Sequence, residues 1–116
     1  MKAILKKIEQ VERKTKKGTK FNVIKYTCDV EFNNGEVKTL TGSMSVDYAK
    51  KYFEYCKETT KTAINKDVRV VVAKRKYIDS NENERTISYI KFLNFIDQNG
   101  DIIIMPSADK QEDLDF

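Results

Sequence analysis

Along most of this chain apolar and polar residues alternate with a period of two. From Phe21 onward, Ile24, Tyr26, Cys28, Val30 and Phe32 fall on one side while Lys25, Thr27, Asp29 and Glu31 fall on the other. This is the signature of a strand with one face buried. Asn33-Asn34-Gly35 comes next, and Asn-Gly supplies the positive φ angles of a tight hairpin, so Glu36 to Met44 is expected to return antiparallel. Ahead of the hairpin, Ala3 to Glu12 carries Ile4, Leu5, Ile8 and Val11 in a pattern whose phase slips. That suits a long strand bent by a bulge, with a short helix as the other reading.

The period then changes. Ser45 or Asp47 can cap a helix, and Val46, Ala49, Phe53 and Cys56 recur at three- and four-residue spacing, which predicts one helix from Asp47 to about Glu58. Tyr48, Tyr52 and Tyr55 form a second stripe beside that face, expected to cover the core edge with hydroxyls in water or to serve as a partner surface. Period two resumes at Val68, Val70 and Val72 and runs to Lys74-Arg75-Lys76-Tyr77; a further strand spans Arg85 to Asp97. Asn99-Gly100 turns the chain into Asp101-Ile102-Ile103-Ile104-Met105, a short last strand that Pro106 ends for want of an N–H.

Composition narrows the class. With 116 residues, 34% of them charged and 40% apolar, the chain suits one soluble domain with one core. No apolar run approaches the roughly 20 residues of a membrane helix. Met1-Lys2-Ala3-Ile4-Leu5-Lys6-Lys7 turns charged too soon for a secretory signal, so a reducing cytoplasm is expected, with Cys28 and Cys56 as buried thiols rather than a disulfide.

Three antiparallel strands, a helix and two more strands resemble the chain order of the oligonucleotide-binding (OB) fold, a five-stranded Greek-key barrel; a ubiquitin-like or other small α+β roll is the alternative. The expected organisation is an all-β OB domain over 1–106 with one helix and a short extra strand, then a disordered acidic tail over 107–116. Charge follows the same division. The segment 109–116 sets four carboxylates against Lys110, so the net +4 of the chain becomes +7 once that −3 segment is set aside. A cationic body suits a polyanion.

Catalysis finds little support. The chain has no histidine, which excludes Ser-His-Asp and Cys-His arrangements, and four sparse glycines do not make a phosphate-cradling loop. Asp79, Glu82 and Glu84 could gather a divalent cation but alternate with turn-forming residues, so a solvated loop is expected. No enzyme activity, cofactor or metal is anticipated.

What the residues do suggest is positive charge beside aromatic rings. Arg13 to Lys20 carries five cations and no acid and leads into Phe21. Single-stranded nucleic acid needs cations along its phosphates and flat apolar faces for its bases. Lys14, Lys16, Lys17 and Lys20 are candidates for phosphates and Phe21 for a base, unless a shift of phase puts Phe21 in the core. Lys25 and Lys38, on the polar faces of the central hairpin, would extend the track. Lys74, Arg75, Lys76 and Tyr77 would form a second bank, with Arg85 and Lys91 as weaker candidates and Tyr89 divided between site and core. The acidic residues Asp79, Glu82 and Glu84 interrupt a continuous basic groove.

In layout the whole chain resembles the single-stranded DNA-binding proteins (SSBs) of bacteria, and more closely the short versions encoded by bacteriophages. Those are OB folds followed by an acidic tail ending on a hydrophobic residue, a place held here by Glu112, Asp113, Leu114, Asp115 and Phe116. Bacterial relatives carry a proline before the last residue and a long linker before the tail; here Asp115 precedes Phe116 and the link after Pro106 is short. The resemblance implies sequence-independent coating of single-stranded DNA in replication or recombination, in a bacterial host's cytoplasm if the chain is phage-encoded. It also implies self-association into dimers or tetramers, with replication and recombination proteins recruited by the tail. Rival expectations are an RNA-binding OB domain, or a protein-interaction module such as a phage inhibitor of a host enzyme.

Overall fold

The computed structural model describes residues 1–105, with strands β1 (Lys2–Lys14), β2 (Lys20–Glu31), β3 (Val37–Ser45), β4 (Asp67–Ile78) and β5 (Glu84–Phe95). Helix α1 (Val46–Tyr55) and the single turn α2 (Thr60–Ala63) lie between β3 and β4. The strands close in the order β1-β2-β3-β5-β4. Every pairing is antiparallel except that of β3 with β5, which is parallel and rests on Gly42 against Ile90. A Cβ on Gly42 would lie 2.6 Å from the Ile90 carbonyl oxygen and 2.6 Å from the Tyr26 ring, so only glycine lets the two strands meet here.

Alternation places the core. Tyr26, Cys28 and Val30 of β2 point inward with Leu5 of β1, Val68 and Val70 of β4, and Ile90, Leu93 and Phe95 of β5. Two bulges break the alternation. In β1, Leu5 pairs with Cys28 and Lys7 with Thr27, leaving Lys6 as the extra residue, which explains the slipped phase of this segment. In β5, Phe92 pairs with Val71 and Ile90 with Val72, leaving Lys91 extra. Each bulge turns two successive side chains outward, Lys6 with Lys7 and Lys91 with Phe92.

Helix α1 begins where Ser45 Oγ accepts from the Tyr48 N–H at 3.1 Å. It ends three residues before the expected Glu58. The Lys57 N–H donates to Glu54 and the Glu58 N–H to Phe53, with Lys57 in the left-handed region at φ 57°, a Schellman stop. The tyrosine stripe differs from expectation as well. Tyr52 is fully buried, and its hydroxyl is spent inside the protein: it donates to the Ile103 carbonyl at 2.6 Å and accepts from the Phe95 N–H at 2.9 Å. Tyr48 stacks on Tyr52 at 5.7 Å between ring centroids. Of the three, only Tyr55 is exposed, so no tyrosine surface stands on this helix.

The expected last strand, Asp101 to Met105, is not one. It makes a single bridge, Ile96 to Ile102, and one bond from the Ile103 N–H to the Phe95 carbonyl. Tyr52 and Asn94 hold the Ile103 carbonyl, so the segment is captured as an irregular strap under α1. Both cysteines are free thiols, Cys28 buried and Cys56 half-buried; burial, and then the Asp29 charge, pushes Cys28 up to about 12. The tail over 107–116, with its expected disorder and partner-binding residues, lies outside the described residues.

Candidate nucleic-acid interface

β1 pairs with β4 only through Lys2, Ala3 and Ile4, against Arg69, Val68 and Asp67. Beyond these rungs the two long hairpins separate; β2 still pairs with β3 as far as Val23, and only past that rung does β1–β2 continue as a two-stranded arm, as β4–β5 does past Ile90. Within an arm, residues directly opposite share a face and the next rung belongs to the other face. This register sorts the candidate residues.

On the β1–β2 arm, Arg13 lies opposite Phe21, Val11 opposite Val23 and Glu9 opposite Lys25. Phe21 is 42% exposed and belongs to the outward set, so it is not the start of the core face. Thr15 builds the tip by accepting from the Thr19 N–H through Oγ1 at 3.1 Å, while Gly18 adopts φ 86°. Lys14, Lys16 and Lys17 are exposed on this tip. Lys20 lies opposite Lys14 on the reverse face and pairs with Glu12 at 3.7 Å.

On the β4–β5 arm, Tyr77 lies opposite Arg85, Arg75 opposite Ile87, and Ala73 opposite Tyr89. Lys74 and Lys76 face Ser88 and Thr86 on the other side, and Lys76 pairs with Glu84 at 3.3 Å. The expected second bank is therefore divided. Arg75 and Tyr77 share a face, whereas Lys74 and Lys76 look the opposite way, because four consecutive strand residues cannot share one side. Lys25 and Lys38 are also separated. Lys25 stands outward opposite Ser43, while Lys38 lies opposite the inward Val30 and reaches over the Phe32 ring at 5.4 Å.

The two arms thus repeat one arrangement, an exposed ring directly across from an arginine: Phe21 with Arg13, and Tyr77, 45% exposed, with Arg85. No protein-family model, curated protein or solved structure matches this chain.

Two of the three acids expected to interrupt the basic surface are engaged locally. Asp79 accepts from the Asn81 and Asn83 N–H groups and from Arg85 Nε at 2.9 Å. Arg85, then these backbone bonds, hold its carboxyl below the usual aspartate range. Glu84 is turned toward Lys76. Two of the loop's acids are thus paired with cations, and among the described residues no cluster of three or more His, Cys, Asp or Glu is placed to hold a metal ion.

At the other end of the barrel, a cleft of about 330 Å³ is lined by Cys56, Glu58, Lys66, Asp97 and Ile103 among others. Burial raises the Cys56 thiol, the opposite of nucleophile activation. Glu58 is bound to Thr62 and Lys66. Among the described residues no helix is long and apolar enough to cross a membrane.

Sequence reasoning left Arg13 out of the site and placed Arg85 and Tyr89 at its margin. Their role depends on register across each arm, and register depends on how many residues the turns at Thr15–Thr19 and Asp79–Asn83 consume.

Proposed function

We propose that this protein binds single-stranded DNA without catalysis and with little sequence preference, through an OB-type barrel. The carrying observation is the exposed ring opposite an arginine on both arms. Strand order 1-2-3-5-4, with a helix between β3 and β4, supports the OB assignment. Base–ring stacking contributes about 1–3 kcal/mol per base and tolerates any base, while Arg13 and the Lys14, Lys16 and Lys17 tip serve phosphates and Arg85 stays paired with Asp79.

The setting is DNA replication or recombination, by analogy of layout with the SSBs. The acidic end, Glu112 to Phe116, recruits partner proteins, and the chain self-associates. Removing Asp113 to Phe116 leaves or raises DNA affinity, since the tail competes for the cationic surface, and abolishes recruitment.

The test is fluorescence anisotropy with labelled oligo-dT, a duplex and the matching RNA, each titrated across salt. Tighter, salt-sensitive binding to the DNA single strand supports the reading. Preference for the RNA moves the function to RNA binding, and no binding at low salt rejects a nucleic-acid role.

A further inference from the structure

We infer that the DNA strand runs along the outer face of β4–β5, down to β1, and not across the outer face of β2–β3; this path rests on the DNA-binding reading above.

The outward rungs of β4–β5 continue without interruption from the arm into the barrel wall. After Tyr77 with Arg85 come Arg75 with Ile87, then Ala73 with Tyr89. Beyond the bulge stand Val71 with Phe92, then Arg69 with Asn94, and Arg69 meets Lys2 of β1. None of these positions holds a carboxylate, and the one that touches the strip is Asp79, paired with Arg85 at the arm's tip.

The bulge itself extends the strip. Strict alternation would send either Lys91 or Phe92 inward; the extra residue leaves both outside, with the Lys91 ammonium 5.5 Å from the Phe92 ring centroid. Phe92 is 49% exposed and Val71 beside it 51%, an apolar pair in the barrel wall with cations on either side. Rings at Tyr77, Tyr89 and Phe92 alternate with cations at Arg75, Lys91 and Arg69 over about 26 Å, at a rise of roughly 3.3 Å per residue.

The β2–β3 face differs. Past Phe21 its outward rungs offer one cation, Lys25, and no ring. They then reach Thr39 opposite Asp29 and Val37 opposite Glu31. Thr39 Oγ1 already donates to Asp29 at 2.8 Å, and the two carboxylates would repel a phosphate backbone.

The experiment uses the full chain. It contains no tryptophan, so Phe92→Trp and Ser43→Trp place a reporter on one face at a time. Oligo-dT is expected to quench the reporter at 92 and leave the one at 43 unchanged. In anisotropy, Phe92→Ala with Arg69→Ala is expected to weaken oligo-dT about tenfold or more, while Thr41→Ala with Ser43→Ala keeps wild-type affinity. Quenching at 43 but not at 92, or affinity lost with the threonine and serine variants and kept by Phe92→Ala, overturns the path and leaves DNA binding standing. Failure of the wild-type chain to bind oligo-dT overturns both.

Discussion

The Tyr52 hydroxyl accepts a hydrogen bond from the Phe95 backbone N–H at 2.9 Å while the two rings stack with centroids 5.6 Å apart. One side chain of α1 thereby holds the end of β5, and its own proton goes to the Ile103 carbonyl. Tyr52→Phe keeps the stack and leaves the Phe95 N–H without this partner in a buried place. The expected loss is about 1–3 kcal/mol. In urea unfolding it appears as a lower midpoint with an unchanged slope, and oligo-dT affinity stays the same.

Gly42 sets how closely β3 approaches β5. A methyl there meets a backbone oxygen, that of Ile90, as well as the Tyr26 ring, both at 2.6 Å, and a backbone atom cannot swing aside as a side chain can. Gly42→Ala is expected to cost about 3 kcal/mol or more, at the top of the range for overpacking. Adding Tyr26→Phe does not restore stability, because the Ile90 contact persists. Thermal denaturation of the single and double variants checks both statements.

Lys57 occupies the left-handed position of the α1 stop at φ 57°, where a Cβ is strained and glycine is the usual residue. Lys57→Gly is expected to stabilise the protein by about 1 kcal/mol, visible as a higher melting temperature. A drop in melting temperature would show that the Lys57 side chain contributes more than its backbone costs.

The strands were legible because one face of each is buried, and burial writes period two into the residues. Ile24 to Val30 alternates as read and the hairpin forms, but only Gly35 of the Asn-Gly pair takes a positive φ and the turn spans Phe32 to Glu36; the slipped phase of Ala3 to Glu12 is the bulge at Lys6. Tyr52 was misread because a tyrosine at a helix edge and one bonded to buried backbone look alike in periodicity; the partners, Phe95 and Ile103, are some forty to fifty residues away. The run Ile102 to Ile104 reads as a strand, yet it makes a single bridge, to Ile96 just past β5, and the Phe95 N–H is taken by that tyrosine. The site was legible as composition but not as geometry. That Lys74 to Tyr77 is a cationic bank is plain from the residues, whereas which two of the four share a side with Arg85 is decided only by the pairing.

Glu58 ties the end of α1 to α2 and to the start of β4 through Thr62 Oγ1 at 2.7 Å and the Lys66 ammonium. Burial pushes its carboxyl up, but the bonds from Lys66 and Thr62 outweigh this and hold it below the ordinary glutamate value of 4.5. A lowered folded value means that the associated stability is whole above the unfolded value and is lost as pH falls through the folded one. Melting temperature is therefore expected to decline in acid below about pH 4.5. Glu58→Gln should flatten part of that decline while lowering stability near neutrality. Lys66 is half exposed, so added salt narrows the difference between the two proteins.

Rings and cations make separable contributions to binding. Phe21→Ala and Tyr77→Ala each remove a stacking surface, at about 1–3 kcal/mol, and leave the dependence on salt unchanged. The two rings lie on different hairpins, so their losses should add in the double variant. Lys14, Lys16 and Lys17 changed together to Ala should act differently, flattening the plot of log affinity against log salt by about 0.7 for each phosphate contact removed. Affinity should fall alike for every sequence. Anisotropy of labelled oligo-dT over a salt series reads both quantities from one titration set. If Tyr77→Ala weakens binding and Phe21→Ala does not, only the β4–β5 arm holds a base; an unchanged slope in the lysine variant would remove the β1–β2 tip from the interface.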